Sequence, residues 1–193
     1  GVLICEDVWQ QDIVAGMVQF GVEAILVLNA SPFHIDKHEE RMAMLRSHAR
    51  QSAVPMIYLN MTGGQDELVF DGDSLVFNRQ AELVARGRRF EADIIKLSFD
   101  GDDVSSEHGV SMDADVDHDG DSVTYKALVT GVRDFVRQNG FTGVVIGLSG
   151  GVDSALTLAI AVDALGAENV QAVMMPSRYT ADISLQDAEE EAA

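Results

Sequence analysis

Along the first hundred positions the apolar residues come in short runs, separated by polar and glycine-rich stretches. Residues 2–4, 24–28, 56–59, 74–77, 83–85 and 94–97 each have the length of a strand rather than of a helix. Residues 34–53 follow another period. Ile35, His38, Met42, Leu45 and Ala49 recur at intervals of three and four, which is one face of a helix. A shorter helix is predicted over 12–20, ended by Gly21. Helices alternate with strands at first, and closely spaced strands follow. This order predicts a layered α/β sheet with an antiparallel portion.

Residues 100–122 break the pattern. They are rich in Asp, Gly and Ser and poor in large apolar side chains, so they read as a solvated linker. Within them, Asp115 to Asp121 matches the start of a calcium-binding loop. The match fails at its last position, where Lys126 stands in place of a bidentate Glu, and no helix is predicted ahead of it. Beyond the linker, 123–139 is predicted as a helix with Leu128, Val132, Phe135 and Val136 on one side and Gly140 at its end. A strand over 143–148, a glycine-rich loop running into a helix over 150–165, and a second buried strand over 170–175 make a βαβ unit. The expected organisation is therefore 1–99, a linker over 100–122, and 123–193. The chain has no initiator Met and opens on a strand, and 184–193 reads as a helix without a closing cap. The expectation is a piece cut from a longer protein.

Composition narrows the chemistry. Against 32 acidic residues stand 13 basic ones, only three of them Lys, for a net charge of −19. That balance excludes a general nucleic-acid-binding surface. No apolar run is long enough to span a bilayer, although 47% of residues are hydrophobic. A single cysteine excludes an internal disulfide framework and a cysteine-based zinc site. The simplest compartment is a reducing cytoplasm.

Ser149-Gly150-Gly151-Val152-Asp153-Ser154 lies between the predicted strand at 143–148 and a helix. Adjacent glycines let backbone approach an anion, and the following helix aims free N–H groups at the same place. The hydroxyls of Ser149 and Ser154 can donate further hydrogen bonds to phosphate. Asp153 would repel phosphate directly, so it would act through Mg²⁺ or by holding the loop. A Walker A loop is excluded because no Gly-Lys-Ser/Thr follows, and the glycine spacing excludes a dinucleotide fingerprint. On composition alone, such a turn could also do no more than connect strand to helix.

This string resembles the signature of the PP-loop ATP pyrophosphatases, the adenine nucleotide alpha-hydrolase family, which cleave ATP between its α and β phosphates to adenylate an oxygen. Met174-Met175-Pro176-Ser177-Arg178-Tyr179-Thr180 resembles a segment of NAD⁺ synthetases at the edge of the adenosine site, which would place Met175, Ser177 and Arg178 there. By composition alone, Met174 and Met175 are core residues and Arg178 a surface cation. Asp182, Ser184 and Asp187 occur where the family pattern resumes.

A lone Cys5 beside Val and Ile is usually a small buried hydrophobe. Yet Gly1-Val-Leu-Ile-Cys5-Glu6-Asp7-Val8-Trp9 resembles the nucleophile segment of the nitrilase, or carbon–nitrogen hydrolase, superfamily. There the cysteine attacks an amide or nitrile carbon and forms a thioester, assisted by a Lys and a Glu from earlier in the chain. Asn29-Ala30-Ser31-Pro32-Phe33 with Lys37 and Arg41, and then Gly63 to Ser74, resemble later stretches of the glutaminase domains of NAD⁺ synthetases. Taken singly, these are a turn, a solvated helix face and a hairpin. The resemblance makes Cys5 the nucleophile and sets Glu6, Ser31, Lys37 and Arg41 about a glutamine site. Neither Lys37 nor Lys96 stands where the family's catalytic Lys does, so the 193 residues alone are expected to be inactive.

A nitrilase-type unit ahead of a PP-loop unit is the arrangement of the glutamine-dependent NAD⁺ synthetases. The fold it implies is the C-terminal part of a nitrilase-like αββα sandwich, followed by the first βαβ portion of a doubly wound parallel sheet. The implied reaction amidates deamido-NAD⁺ with ammonia from glutamine, using ATP and Mg²⁺, with no tightly bound organic cofactor. Neither nucleic acid nor membrane is an expected partner, and the complete enzyme is expected to be a homo-oligomer. Two other readings stay open: an amidase with a nucleotide-sensing domain, and a non-catalytic remnant.

Overall fold

Parallel pairing of three strands organises the first half of the chain in a computed structural model that describes residues 1–107 and 120–192. Strands β1 (Val2–Ile4), β2 (Ile25–Asn29) and β3 (Met56–Asn60) align in register, so that Ile4, Leu28 and Leu59 lie abreast. Their carboxyl ends therefore share one edge. The intervening helices, α1 (Gln11–Gln19) and α2 (Lys37–Ser52), supply the crossovers that parallel strands require. Two antiparallel strands, β6 (Leu75–Phe77) and β7 (Leu83–Arg86), complete a five-stranded sheet in the order β1-β2-β3-β6-β7. Between β3 and β6 lies a hairpin of β4 (Thr62–Gln65) and β5 (Leu68–Asp71), which periodicity does not predict because each strand is only four residues long and β4 is glycine-rich. Asp66 turns it at φ 51°.

Alternation along the strands decides which face is dry. Leu3, Ile25, Val27, Met56, Tyr58, Leu75 and Phe77 point to one side and pack with Val8, Val14, Leu45 and Ala49. On the other side Val2, Ile4, Leu26, Leu28 and Leu59 form an apolar row that is exposed among the described residues. Helix α2 departs from the predicted face. It begins at Lys37, so Ile35 precedes it and is exposed, while Arg41 and His48 share the buried face with Leu45 and Ala49.

The stretch read as a linker from residue 100 still carries structure at its start. Strands β8 (Leu97–Asp100) and β9 (Asp103–Ser106) form a hairpin, also displacing the strand expected at 94–97. Val104 explains this. It is buried with Val76 and Ala85 on the second face of the sheet, and Leu97 packs against the same cluster, so two apolar side chains anchor a hairpin that composition marks as polar. The calcium-like stretch from Asp115 begins outside the described residues. Its remainder, 120–126, lies within helix α3 (Gly120–Gln138) rather than in a loop.

The residues divide into two compact units, Gly1–Gly63 with Leu68–Ala127, and Gly64–Glu67 with Leu128–Ala193. The second unit contains the parallel pair β10 (Val144–Leu148) and β11 (Val170–Met174), joined by helix α4 (Val152–Leu165). Helix α5 (Asp182–Glu191) follows. This is the predicted βαβ unit, with one correction: β11 is half-exposed rather than buried, because among the described residues one helix covers one face of a two-stranded sheet. No helix of the described residues is long and apolar enough to cross a membrane.

Candidate functional sites

Cys5 is the first residue past the carboxyl end of β1, where the chain turns at once into a 3-10 segment, Cys5–Trp9. Its φ of 50° lies in the left-handed region, which costs a non-glycine residue of order 1–2 kcal/mol. The turn is held by its own acid, since the Ile4 N–H donates to Asp7 Oδ2 at 3.0 Å. It is held from outside by α2, where His48 Nε2–H donates to the Val8 carbonyl at 2.8 Å. That bond fixes the imidazole tautomer, while burial pushes the His48 pKa down. Cys5 is half-buried, and Glu6 beside it is exposed. Backbone strain braced from two sides at a nucleophilic side chain is the signature of a built site.

Ser31 and its loop leave the same edge of the sheet, two residues past β2. The loop is clamped from beneath. Arg41, with no exposed surface, donates through Nη1 to both Asp71 oxygens at 2.8 and 3.0 Å. Its Nη2 donates to the Ser31 carbonyl at 2.9 Å and to Ser31 Oγ at 3.1 Å. Burial pushes the Asp71 pKa up and Arg41 pulls it back, with burial the larger effect. Phe33 finishes the clamp, with its N–H donating to the Val69 carbonyl at 2.7 Å and its ring meeting Phe90 edge-on at 5.6 Å. Arg41 thus stands buried behind Ser31, with both terminal nitrogens engaged by protein atoms and its Nε without a partner, and not beside an open site.

Lys37 behaves differently. Its ammonium lies 4.3 Å from the centre of the Trp9 ring and 2.9 Å from Glu40 Oε2, so it is joined to the turn that carries Cys5. Tyr58, on β3 and buried, lies within electrostatic range of Cys5 and Arg41, and burial pushes its phenol up. Below this cluster Asp73 takes His38 Nδ1 at 2.5 Å, Arg86 Nε at 2.6 Å and Arg89 Nη2 at 3.4 Å. Burial alone would raise its pKa, but these three partners hold it well below the usual carboxylate range.

Asn60, Asp71 and Asp73 are residues that sequence reasoning missed. Asp71 and Asp73 sit within a stretch already noted for its resemblance, but an aspartate in a Gly-Asp turn reads as solvated. Burial distinguishes it, and burial is tertiary.

In the second unit the strand-to-helix loop closes on itself. The Ser149 N–H donates to Ser154 Oγ at 3.2 Å, the two hydroxyl oxygens lie 3.0 Å apart, and Ser154 Oγ donates to the Gly151 carbonyl at 2.8 Å. Gly150 has φ +72°, and a Cβ there would lie 2.2 Å from the Ser184 carbonyl oxygen. Glycine is thus required for both reasons, and α5 lies directly over the loop. Gly150→Ala is expected to lever α5 away, at a cost of at least about 1–2 kcal/mol from the left-handed backbone alone. Hydrogen exchange over residues 182–191 should speed up by about tenfold or more if so, since 1.4 kcal/mol is a factor of ten.

A cavity of about 200 Å³ opens beside the loop, lined by Leu148, Ser149, Met174, Met175, Thr180 and Ser184 among others. Met175 is 76% exposed, so it is no core residue. Ser177 closes a turn with Thr180, whose Oγ1 accepts from the Ser177 N–H at 2.9 Å. Arg178 is exposed, with its guanidinium 4.8 Å from the Tyr179 ring centre. Val152 and Asp153 open α4 and are exposed. No cluster of three metal-ligating side chains occurs among the described residues.

The carbon-nitrogen hydrolase family pattern matches residues 1–106, and the NAD synthase pattern residues 124–192. The glutamine-dependent NAD(+) synthetase of Acinetobacter baylyi is 44% identical over 192 residues, which is 100% of this chain and 35% of that protein. That of Xanthomonas campestris pv. campestris is 44% identical, over 99% of this chain and 34% of its own length. The chain thus spans about a third of the length of the relatives it matches. Among solved structures, a glutamine-dependent NAD+ synthetase from Acinetobacter baumannii in complex with ADP has a TM-score of 0.89 at 44% identity, covering 98% of this chain and 36% of that one. One from Cytophaga hutchinsonii, at 18% identity and TM-score 0.76, shares the fold over 100% of this chain and 37% of its own.

Proposed function

As this chain belongs to the carbon–nitrogen hydrolase family, we propose that it works within a longer enzyme that converts deamido-NAD⁺ to NAD⁺, using ATP and ammonia from glutamine. The observation that carries this is the pairing in one chain of a cysteine on a strained, braced turn with a Ser-Gly-Gly-Val-Asp-Ser loop at a helix start.

In the first unit the Cys5 sulfur attacks the side-chain amide carbon of glutamine. The C–N bond breaks, the nitrogen takes up a proton and leaves as ammonia, and a thioester remains. Water then cleaves the thioester, giving glutamate and the free thiol. Ser31 and Lys37 receive the substrate, the ammonium of Lys37 facing its carboxylate, while Arg41 supports Ser31 from behind. Glu6 is exposed at the mouth of the turn.

In the second unit the free N–H groups at the start of α4 hold the phosphates of ATP, and Ser149 and Ser154 join them by giving up their mutual hydroxyl contact. A carboxylate oxygen of the nicotinate ring bonds to the α-phosphorus, and pyrophosphate departs. Ammonia attacks the resulting acyl carbon and AMP leaves. Met175, Ser177 and Arg178 border the adenosine. Asp153 is the one acid on the loop and no cluster of three metal-ligating side chains surrounds it among the described residues, so it would hold Mg²⁺ together with the nucleotide. The ion would there offset negative charge on the phosphates.

The decisive assay uses the complete gene product with ATP and deamido-NAD⁺, supplied with glutamine or with ammonium. NAD⁺, AMP and pyrophosphate in equal amounts from either nitrogen source is the expected result. An amidase with a nucleotide sensor would release ammonia from glutamine but form no AMP, and a non-catalytic remnant would do neither.

A further inference from the structure

Asn60 closes the strand β3 at the same edge as Cys5 and Ser31, and it is 6% exposed. Its side chain grips one residue by both backbone groups. The Ser31 N–H donates to Asn60 Oδ1 at 2.9 Å, and Asn60 Nδ2 donates to the Ser31 carbonyl at 3.3 Å. The same Nδ2 donates to Asp71 Oδ1 at 3.3 Å, and the Asn60 N–H donates to Ser74 Oγ at 3.0 Å. This set of partners fixes which end of the carboxamide is oxygen, because a flipped amide would face N–H with N–H and oxygen with two oxygens. The two peptide units that flank the Ser31 Cα are therefore both held. Ser31 Oγ accepts from Arg41 Nη2, so its own O–H can still donate, with the buried Tyr58 phenol as a neighbouring partner.

We propose that Asn60 is a positioning residue for glutamine hydrolysis, which orients the Ser31 hydroxyl as a hydrogen-bond donor to the amide substrate beside Cys5. This rests on the reading of Cys5 as the nucleophile of a glutaminase site. Asn60 itself does not touch the substrate. It acts through Ser31, with the Arg41–Asp71 pair closing the other side of the clamp. Any residue of similar volume could fill the space, but only a carboxamide offers an acceptor to the N–H and a donor to the C=O of one residue.

The test is glutamine-driven NAD⁺ formation by the complete gene product, at saturating ATP and deamido-NAD⁺. Its variants are Asn60→Leu, Asn60→Ser, Ser31→Ala, the double variant Asn60→Leu/Ser31→Ala, and Cys5→Ala. Asn60→Leu keeps volume and removes every side-chain bond, leaving the backbone bond to Ser74. It is expected to raise the KM for glutamine by about tenfold with kcat changed by less than about threefold, the loss of one substrate hydrogen bond. The double variant should match Ser31→Ala within about twofold, since Asn60 has nothing left to orient. Should Asn60→Leu not fold, as judged by thermal unfolding, Asn60→Ser carries the same expectation of a raised KM. A wild-type KM in a folded Asn60 variant, or effects of Asn60 and Ser31 that multiply, overturns the proposal. If Cys5→Ala still uses glutamine, the reading beneath it fails instead.

Discussion

Cys5→Ala in the complete gene product is expected to lower glutamine-driven NAD⁺ formation by at least about 10³-fold, the scale on which removing a covalent nucleophile acts. Ammonium-driven formation should stay within about twofold of wild type, because the two chemistries use different units of the chain. The contrast between the two nitrogen sources is the informative quantity. A cysteine that merely filled space would, on losing its sulfur, leave glutamine-driven formation close to the wild-type rate. The geometry argues against that. Cys5 is half-buried, has a left-handed backbone, and is braced through Asp7 on one side and His48 on the other. An alanine at the same φ preserves the turn, so the loss reports chemistry and not shape. Glutamine use that survives the substitution would make Cys5 structural.

The second large effect concerns stability. Arg41→Met is expected to destabilise the first unit by about 3–5 kcal/mol, the cost of leaving a buried carboxylate without its cation. Asp71 has 1% exposure, so water cannot replace the guanidinium, and Asn60 Nδ2 alone remains as a side-chain donor to it. Hydrogen exchange over α2 and β3 and the apparent Tm read this directly. Adding Asp71→Leu should recover most of the stability, because a buried ion pair replaced by apolar side chains of similar size is often neutral or better. Glutamine use should not recover with it, since Ser31 would have lost its Arg41 bonds. Recovery of both together would mean that the pair is structural only.

Much of this was legible in the residues. Periodicity located β1, β2, β3, β6 and β7, both crossover helices, and the βαβ unit at the end of the chain, because each carries enough apolar side chains at a fixed period. The short strands β4, β5, β8 and β9 were not legible. They are held by a hairpin pairing or by two apolar side chains, and neither leaves a repeating pattern.

For the sites, the sequence by itself determined the chemistry on offer: one thiol after an apolar run, a loop of two serines and two glycines before a helix, and a surplus of acid over base. Those are properties of side chains and of local spacing, so they survive without a fold. Tertiary structure decided the roles. It turned Arg41 from a helix-surface cation into a buried support, made Asp71 and Asp73 its kin, and brought Asn60 beneath Ser31 from 29 residues away. It also required glycine at 150, where the carbonyl of Ser184 leaves no room for a Cβ. Burial and contact between distant residues depend on how the strands align, and no local pattern of polar and apolar residues encodes which carboxylate will meet which cation.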